Sequence, residues 1–335
     1  MRGLKVLVLK DSRIGSSKQS DFLARALSND VTVKNIKYTK FMVIPNCLKP
    51  HSIGVDFGKS DKMPEDNKYP DIIIFAGRRL AGLAIHLKKH IFRKTKKIVK
   101  LISILNPNYS FKHFDFVILP SHDSIKCDKY HNIITIDGAL CGYDMQEELQ
   151  NIGFFEDNFK TYGRPFYSLM VGGDTKRKNI DAREFGVIVK NISSFVSSKN
   201  GTLLVSTSRR TSKHCVEEIE KNLSCSSYLY KWGQNNIPNP YNFFLKESKI
   251  VFTTGDSISM LSEIATIGKP MYVYMPVEAL EKKHFKFCNL LAQKKIIREI
   301  TSQTTNIEEF ETEPLNELGA VAKYILLNMN KMELK

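Results

Sequence analysis

The sequence predicts an α/β protein with two doubly wound domains. Three observations predict this class: Val- and Ile-rich runs alternate with helical segments, the alternation occurs twice, and 335 residues exceed the usual size of one domain. A polar segment with Pro and Gly, from about Glu148 to Pro165, separates the two series. We expect domains of residues 1–155 and 156–335 that face each other across a cleft.

Short runs of β-branched and aromatic residues predict the strands of each domain. In the first domain the runs are Leu4 to Leu9, Ile72 to Phe75, Ile98 to Leu105, Phe114 to Leu119 and Ile133 to Ile136. In the second they are Tyr167 to Val171, Thr202 to Ser206, Ser227 to Tyr230, Ile250 to Thr253 and Met271 to Tyr274. Pro314 to Leu327 begins with Pro and keeps a helical apolar stripe, which predicts a packed terminal helix.

Composition and charge limit the classes of function that this chain can have. The chain has 50 Lys and Arg against 35 Asp and Glu, and this net charge of +15 favours anionic partners. No apolar run approaches the ~18 residues that span a bilayer, and the N-terminus is typical of a buried strand, not a secretion signal. Six cysteines without CxxC spacing argue against zinc and a disulfide framework. We expect a cytoplasmic protein that needs no metal and no cofactor.

The densest basic cluster lies between Leu87 and Lys100, where cations alternate with Ile91 and Phe92. Such a patch suits an anionic lipid surface, so we expect peripheral association with the inner face of a membrane. A solvated basic face is the alternative, and no specific nucleic-acid binding is expected because no recognised motif accompanies the charge. The cations assigned to this surface are Lys88, Lys89, Arg93, Lys94, Lys96 and Lys97.

The segment from Thr253 to Pro270 is typical of a phosphate and ribose pocket. A β-branched run ends in a turn with Asp256 and Ser257, and an apolar-periodic helix follows, whose first turn includes Ser259. The unpaired N–H groups of a helix start attract an anionic diphosphate. Glu263 lies about 9 Å further along the helix axis and can reach a ribose diol. The alternative is an ordinary capped helix with a solvated carboxylate.

Two further predicted strand ends carry turns that suit anions, and ligands bind at such ends in open parallel sheets. Gly172 and Gly173 let a ligand approach the backbone closely, while Ser208, Arg209 and Arg210 add hydroxyl and guanidinium donors. Tight turns with solvated arginines are the alternative for either segment alone. Three such turns in one domain favour a site for the phosphates of a nucleotide.

Two other nucleotide-binding classes are excluded by their missing motifs. The turn after the first predicted strand, Asp11 to Ser20, does not contain GxGxxG. Gly77 and Gly82 have four residues between them, but no Lys-Ser/Thr pair follows. Dinucleotide-dependent dehydrogenases and P-loop ATPases are therefore excluded.

As a set, the motifs resemble the mitochondrial-fission Elm-type family of plants and its bacterial relatives, over nearly the whole chain. The residues that carry the resemblance are Gly15, Gln19, Pro70 to Arg79, Asn106-Pro107, Phe114 to Asp123, Gly138, Gly172 to Asp174, Ser206 to Thr211 and Thr254 to Glu263. This family is similar in architecture to GT-B glycosyltransferases, whose two Rossmann-like halves face each other. The resemblance implies that Asp256, Ser257 and Glu263 hold diphosphate and ribose, and that the Gly172-Gly173 turn approaches the donor.

One position departs from the family pattern and bears on catalysis. The family often has His directly after the first-turn Gly, where this chain has Ser16. A Ser without a partner cannot accept a proton near neutral pH. The remaining candidate general bases are Asp11, His122 and Asp123, and capping or structural roles are the alternative for each.

The leading hypothesis is metal-independent transfer of a glycosyl group from a nucleotide-diphosphate sugar to a membrane or envelope glycan, with the first domain taking the acceptor at the membrane. Helix amides and Arg209 or Arg210 would stabilise the departing diphosphate, and no Asp-x-Asp metal signature is present. The second hypothesis is a non-catalytic adaptor of the same fold that binds a partner protein or the membrane. Sugar epimerisation is the third, although no acid and base pair is identified for it.

Overall fold

The chain forms two α/β units, each around its own parallel sheet. A computed structural model describes residues 3–40, 54–64, 68–123, 129–142, 145–175, 177–234 and 237–329. Tertiary contacts divide the chain into a first unit, Met1–Gly142 with Asn316–Lys335, and a second unit, Tyr143–Leu315. The predicted class, with two doubly wound parallel domains, is confirmed.

Six described strands form the sheet of the first unit, in the order β2-β1-β3-β4-β5-β6, and every neighbouring pair is parallel. They are β1 (Lys5–Lys10), β2 (Asp30–Asn35), β3 (Ile72–Ala76), β4 (Lys100–Ile104), β5 (Phe116–Pro120) and β6 (Ile133–Ile136). Helices α1 (Ile14–Leu27) and α2 (Arg78–Thr95) follow β1 and β3. Strands β3, β4 and β5 are buried at every position, as expected for a parallel sheet covered on both faces.

The second unit has the strand order β12-β11-β10-β7-β8-β9, again with parallel pairs throughout. Its strands are β7 (Phe166–Val171), β8 (Thr202–Thr207), β9 (Ser227–Tyr230), β10 (Ser248–Thr254), β11 (Met271–Tyr274) and β12 (Ile297–Glu299). Its helices are α3 (Met145–Phe159), α4 (Ala182–Ser198), α5 (Lys213–Asn222), α6 (Tyr241–Glu247), α7 (Ile258–Ile267) and α8 (Lys282–Gln293). Alternate residues of β7 join two different apolar cores, so α4 covers one face of the sheet and α7 the other.

Each sheet has one point where the crossover connections reverse direction. In the first unit, β1 leads through α1 to β2 on one side, and β3 leads through α2 to β4 on the other. Alternate residues of β1 contact α1 and α2, which places these helices on opposite faces. In the second unit the reversal lies between β7 and β10. Such switch points are where open α/β sheets bind ligands, at the carboxyl ends of the strands.

The terminal helix α9 (Glu317–Asn328) packs as predicted, but on the first unit. Its residues Val321, Ala322 and Ile325 are buried in the core that α1 also lines. The division of the chain therefore differs from the expected domains 1–155 and 156–335: the second unit starts at Tyr143, and residues 316–335 return to the first. The apolar stripe of α9 accounts for this return because it fills a core face that α1 alone leaves incomplete.

The expected linker between the domains is mostly helix α3. Phe155 and Phe159 of this helix are buried and stack on Phe243 with ring centroids 5.3 and 5.4 Å apart. Glu156, Asp157 and Asn158, which lie between these two phenylalanines, are exposed. The polar residues of this segment thus belong to an amphipathic helix of the second unit.

All ten predicted strands are present, and two of the described strands were not predicted. Both of the missed strands, β2 and β12, lie at sheet edges. Strand β2 alternates between exposed and half-buried residues, and β12 has only three residues. Polar residues interrupt β2 and only three residues form β12, whereas the edge strands β6 and β9 keep runs that the sequence reveals.

Candidate functional site

The switch point of the second unit brings together the three turns that the sequence indicated. Strands β7 and β10 pair in parallel with Met170 opposite Thr253, so their carboxyl ends lie side by side. The Gly172-Gly173 turn follows β7, and Asp256 follows β10. The turn with Ser208 follows β8, which is the other neighbour of β7. Because all three strands run in the same direction, the turns share one edge of the sheet.

Asp256 is the centre of this arrangement and is only 2% exposed. Its carboxylate accepts hydrogen bonds from the Gly173 N–H at 3.0 Å and the Thr254 hydroxyl at 2.5 Å. Arg210 Nη2 forms an ion pair with it at 2.6 Å. A buried carboxylate is stable when it is paired and hydrogen-bonded, and these donors meet that requirement. Asp256 therefore joins the ends of three strands, and the diphosphate role that the resemblance implies for it stays a prediction.

Backbone contacts hold the turn after β8 in place. The Ser208 hydroxyl donates to the Gly172 carbonyl at 2.5 Å, and Arg210 Nη1 donates to the Gly173 carbonyl at 3.1 Å. The guanidinium of Arg210 is thus used by Asp256 and by the backbone. Arg209 is exposed and makes no ion pair with any described residue. Arg209 is consequently the cation of this turn that remains available to a ligand.

Both glycines of the turn after β7 are required by close packing. A Cβ at Gly172 would overlap the Asp256 carboxylate, and a Cβ at Gly173 would overlap the backbone carbonyl of Arg210. Their lack of side chains lets the turn lie against the ends of β8 and β10. The contacts at these two positions are internal to the protein, and the predicted approach of a ligand to them stays a prediction.

Helix α7 begins immediately beyond the end of β10. Ser257 is its N-cap, and the serine hydroxyl accepts from the Met260 N–H at 3.4 Å. The first turn contains no acidic residue, so the helix start keeps its positive end and further N–H donors. Ser259 and Glu263 are half-buried on the same helix. The structure therefore places a helix start that suits an anion at the switch point.

His284 is a residue of this region that the sequence analysis missed. It lies in the first turn of α8, is 8% exposed, and its Nδ1 makes no hydrogen bond. Burial and then Lys283 lower the pKa of His284, while Asp256 raises it, which indicates that the ring lies near the Asp256 network. The imidazole is therefore neutral at pH 7 and can donate or accept a hydrogen bond. A lone His in a helix gives no distinctive sequence signal, because most such residues are packed core residues.

Asp11 occupies the turn after β1, and its side chain is 1% exposed. The carboxylate accepts from the backbone N–H of Arg13 at 3.0 Å and from its Nε at 2.9 Å, with Nη2 at 2.8 Å. Ser16, which stands where the family often has His, donates to the Arg13 carbonyl at 3.2 Å. Asp11 is thus committed to orienting a guanidinium, and this geometry does not favour the predicted role of general base.

His122 and Asp123 lie in a 3-10 turn directly after β5. His122 is 7% exposed, and its Nε2 is 3.9 Å from Asp123 Oδ1, which is beyond hydrogen-bonding distance. Three strand spacings separate β5 from β1, roughly 14 Å at 4.8 Å per strand. The structure does not bring these two residues together with Asp11.

The predicted basic surface borders a cavity of about 390 Å³ beside α2. Buried Ile85 and Val99 line it together with the exposed side chains of Phe92 and Ile98. The remaining lining residues are polar or charged: Lys88, Lys89, Lys97, Lys112 and His113. An anionic amphiphile could contact both the apolar walls and the basic rim of this cavity. The geometry therefore favours a lipid-binding surface over the alternative of a solvated basic face.

The cations around this cavity differ in their partners. Lys88 pairs with Asp115 at 2.6 Å, and Lys97 pairs with Asp71 at 2.8 Å. Lys96 lies over the Phe92 ring at 5.7 Å from its centroid. The other assigned cations, Lys89, Arg93 and Lys94, are exposed. Asp115 and Asp71 therefore balance two cations of the predicted basic surface.

Within the ranges that the structure describes, no group of three or more His, Cys, Asp or Glu side chains is placed to hold a metal ion. Four cysteines there are unpaired, namely Cys141, Cys215, Cys225 and Cys288, while Cys47 and Cys127 lie outside the described residues. Burial raises the pKa of the Cys288 thiol to about 12, so it stays protonated. None of the described helices has the length and hydrophobicity to cross a membrane.

Two parallel doubly wound units define an α/β protein of the GT-B-like class, and solved structures agree. A UDP-GlcNAc 2-epimerase from Methanocaldococcus jannaschii gives a TM-score of 0.52 at 11% identity, over 98% of this chain and 100% of its own. A UDP-GlcNAc 2-epimerase from Neisseria meningitidis, bound to UDP-GlcNAc, gives 0.51 at 13% identity with the same coverage. At such identities the similarity is one of fold.

Residues 14–329 match the model of the family described as mitochondrial fission ELM1, so the chain belongs to that family. Uncharacterized protein RP120 of Rickettsia prowazekii (strain Madrid E) is 29% identical, over 98% of this chain and 100% of its own length. Mitochondrial fission protein ELM1 of Arabidopsis thaliana is 22% identical, over 76% of this chain and 63% of its own length. The resemblance seen in the motifs is confirmed.

Proposed function

We propose that the second unit binds a nucleotide-diphosphate sugar at its switch point and that the protein transfers the sugar to a membrane or envelope glycan. The observation that carries this proposal is the start of α7, which lies at the carboxyl end of β10 with Ser257 as cap and no acidic residue in its first turn. A diphosphate would accept hydrogen bonds from the N–H groups there. Arg209 would supply the exposed guanidinium.

Glu263 is the proposed ribose ligand. It lies about 9 Å along the α7 axis from Ser257, a distance suited to a diol when the phosphates rest on the helix start. A carboxylate accepts hydrogen bonds from both hydroxyls of such a diol. Ser259, between the two, is a further candidate donor to the diphosphate.

The Asp256 network would make the site rigid without carrying the charge of the ligand. Since Asp256 neutralises Arg210 at 2.6 Å, this arginine is a supporting residue of the turn. The developing negative charge of the leaving diphosphate would then be stabilised by helix amides and Arg209 in place of a metal ion. The solved structure bound to UDP-GlcNAc makes nucleotide sugars the first ligands to test.

A thermal-shift panel of nucleoside diphosphates and their sugars tests the proposal. A ligand that binds only the native state raises the apparent stability by mass action. We expect one nucleotide series to stabilise the wild type and Glu217→Gln, an exposed α5 variant, equally. Glu263→Gln should bind that nucleotide about tenfold more weakly, because a hydrogen bond to a charged group contributes about 1.5–3 kcal/mol.

The outcomes separate the parts of the proposal. A flat panel for the wild type contradicts the nucleotide site itself. Equal affinity of Glu263→Gln and wild type contradicts the assignment of the ribose ligand. If a donor binds, its radiolabelled sugar should move to a membrane glycan fraction, and an unchanged donor after prolonged incubation contradicts transfer.

The cavity beside α2 favours a second candidate, a non-catalytic adaptor that associates with an anionic membrane. Exposed Phe92 and Ile98 would enter the headgroup region while the surrounding lysines contact anionic lipid. Each such cation contributes about 1 kcal/mol near an anionic surface. The family to which the chain belongs is consistent with such a role.

Liposome sedimentation tests this candidate. We expect vesicles with anionic lipid to retain the protein at low salt and to release it as salt rises, since screening weakens the attraction. The double variant Phe92→Ser/Ile98→Ser should bind more weakly, whereas Val187→Ser, an equally exposed apolar residue of α4, should bind like the wild type. Binding that is indifferent to lipid charge would contradict the candidate.

A further inference from the structure

The cavity beside α2 combines buried apolar side chains with exposed ones. Ile85 of α2 and Val99, next to β4, are 3% and 0% exposed and form its inner wall. Phe92 and Ile98 also line the cavity but are 48% and 59% exposed, so they lie at its mouth. Its volume of about 390 Å³ is near the lower end of the ~300–1,000 Å³ typical of small-ligand pockets. The cavity therefore suits one hydrocarbon chain better than a whole two-chain lipid.

The rim of the cavity carries an excess of positive charge. Asp115 lies between two lysines: its Oδ2 accepts from Lys88 Nζ at 2.6 Å, and its Oδ1 is 3.6 Å from Lys100 Nζ. One carboxylate thus balances only one of these two charges. Lys89 and Lys112, which also line the cavity, are exposed and have no ion pair with any described residue. None of the residues described along the cavity is Asp or Glu, so an anionic group would meet no like charge there.

The cavity lies at the amino edge of the first sheet. Val99 directly precedes β4, and His113 lies shortly before β5. The five residues of β4 span about 17 Å and end at the opposite edge. The switch point, where open α/β sheets bind the ligands of their active sites, lies at that carboxyl edge. An amphiphile in the cavity is therefore remote from the switch point of its own sheet, which favours attachment over reaction as its role.

We propose that the cavity beside α2 binds one acyl chain of an anionic phospholipid, and that this lipid attaches the protein to a membrane without being its sugar acceptor. The chain would lie against Ile85 and Val99, and the phosphate would pair with Lys89 and Lys112 at the rim. The proposal rests on the second candidate function, membrane association through this surface. It goes beyond that function by assigning one bound lipid molecule to the cavity.

Calorimetric titration of the full chain with short-chain lipids, below their critical micelle concentrations, tests the cavity without a membrane. Dihexanoyl phosphatidylglycerol should bind. Dihexanoyl phosphatidylcholine should bind about tenfold more weakly, because its headgroup has no net charge. Glycerol 3-phosphate has the phosphate but no acyl chain, and it should give no measurable binding.

Two double variants with the same net charge test the rim. Lys89→Gln/Lys112→Gln should lower the affinity for dihexanoyl phosphatidylglycerol about tenfold, because the cations assigned to the phosphate are lost. Lys190→Gln/Lys323→Gln removes two exposed lysines of α4 and α9 and should bind like the wild type. Equal affinity of the two double variants would overturn the assignment of the phosphate to this rim.

Ile85→Phe tests whether the acyl chain enters the cavity. The added ring would fill the space beside Val99, so binding of dihexanoyl phosphatidylglycerol should be lost. Because Ile85 is buried, a thermal melt must show that this variant is folded. If it is not, Ile98→Ser replaces it, since Ile98 is exposed and its loss from the mouth should weaken binding several-fold. Unchanged affinity of the folded variant would place the lipid outside the cavity and overturn the proposal.

Amide NMR locates the bound lipid on the sheet. Signals of Val99 and His113 should shift on addition of dihexanoyl phosphatidylglycerol. The signal of Gly77, whose N–H donates to the Ile104 carbonyl at the carboxyl end of β4, should not. Shifts confined to Gly77 and its neighbours would assign the lipid to the switch point and overturn the proposal.

The failure of this proposal differs from that of the function on which it rests. A wild type that anionic vesicles retain, but that binds no short-chain lipid, would overturn the cavity site and leave membrane association standing. A wild type that binds neither would contradict both. Equal affinity for the anionic and zwitterionic short-chain lipids would overturn the choice of an anionic ligand.

Discussion

At Gly172 the fold has room for a hydrogen atom and nothing larger. The carboxylate that a Cβ there would overlap belongs to Asp256, which is buried and cannot move away without breaking its pair with Arg210. The close packing of Gly172 against Asp256 therefore holds the strand ends of this switch point together. Glycine at this position is a requirement of packing, whatever ligand binds nearby.

Gly172→Ala should therefore lower the free energy of unfolding by about 1–3 kcal/mol, the usual effect of overpacking. Gly153→Ala is the matched control, because Gly153 lies exposed in α3 with no atom within 4 Å of its added Cβ. The control should gain about 0.5–1 kcal/mol, since alanine favours the helix. Urea denaturation measures both changes, and a neutral Gly172→Ala would contradict the close contact with Asp256.

His284 predicts a pH dependence of stability. Burial holds its folded-state pKa below the ordinary 6.5, so the unfolded chain binds this proton more readily than the native protein does. The contribution of neutral His284 to the free energy of unfolding is therefore present above pH 6.5. It is lost as the pH falls through the lowered pKa of His284. His284→Gln should thus lose less stability than wild type between pH 7.5 and 5.5 in urea denaturation. His214→Gln, an exposed control, should follow the wild type.

At the scale of elements, helix α9 decides which unit the C-terminus completes. Ile325 is fully buried in the core that α1 shares, whereas Leu327 two residues later is 64% exposed. Ile325→Ala should cost about 2–5 kcal/mol through lost burial and a cavity. In hydrogen exchange, the amides of α1 should then lose protection while those of α7 keep it. Leu327→Ala should leave both helices unchanged, and faster exchange of α7 would contradict the assignment of α9 to the first unit.

Central and edge elements differed in how well they could be predicted. Strands β3 and β10 appear in the sequence as continuous apolar runs because both faces of a parallel sheet are covered. Strand β2 alternates exposed and half-buried residues at the edge, and no such run marks it. Helix α3 looked like a linker because polar residues such as Glu156, Asp157 and Asn158 are exposed on it. The local pattern thus identifies a strand where its residues form an apolar or aromatic run.

For the whole molecule, the division into units predicts which fragments fold. Fragment 143–315 contains all of the second sheet and α3, whose Phe155 and Phe159 fill the aromatic core around Phe243. It should unfold cooperatively in urea and show dispersed amide NMR signals. Fragment 156–335, cut at the boundary that the sequence suggested, lacks most of α3 and carries α9 without its core. It should be less stable or aggregate, and equal stability of the two fragments would contradict the division.

The sequence by itself determined ten of the twelve described strands, the two-domain class, the family and the turns at the strand ends, because periodicity, capping and turn chemistry are local. Only the tertiary structure decided what those turns contact. The Gly173 N–H donates to Asp256 across 83 residues, and the guanidinium of Arg210 pairs with that carboxylate. Only the structure showed the buried His284, the pairing of Asp11 with Arg13 and the packing of α9 on the first unit. Contacts between residues distant in sequence depend on how strands are ordered in the sheet, which no local pattern specifies.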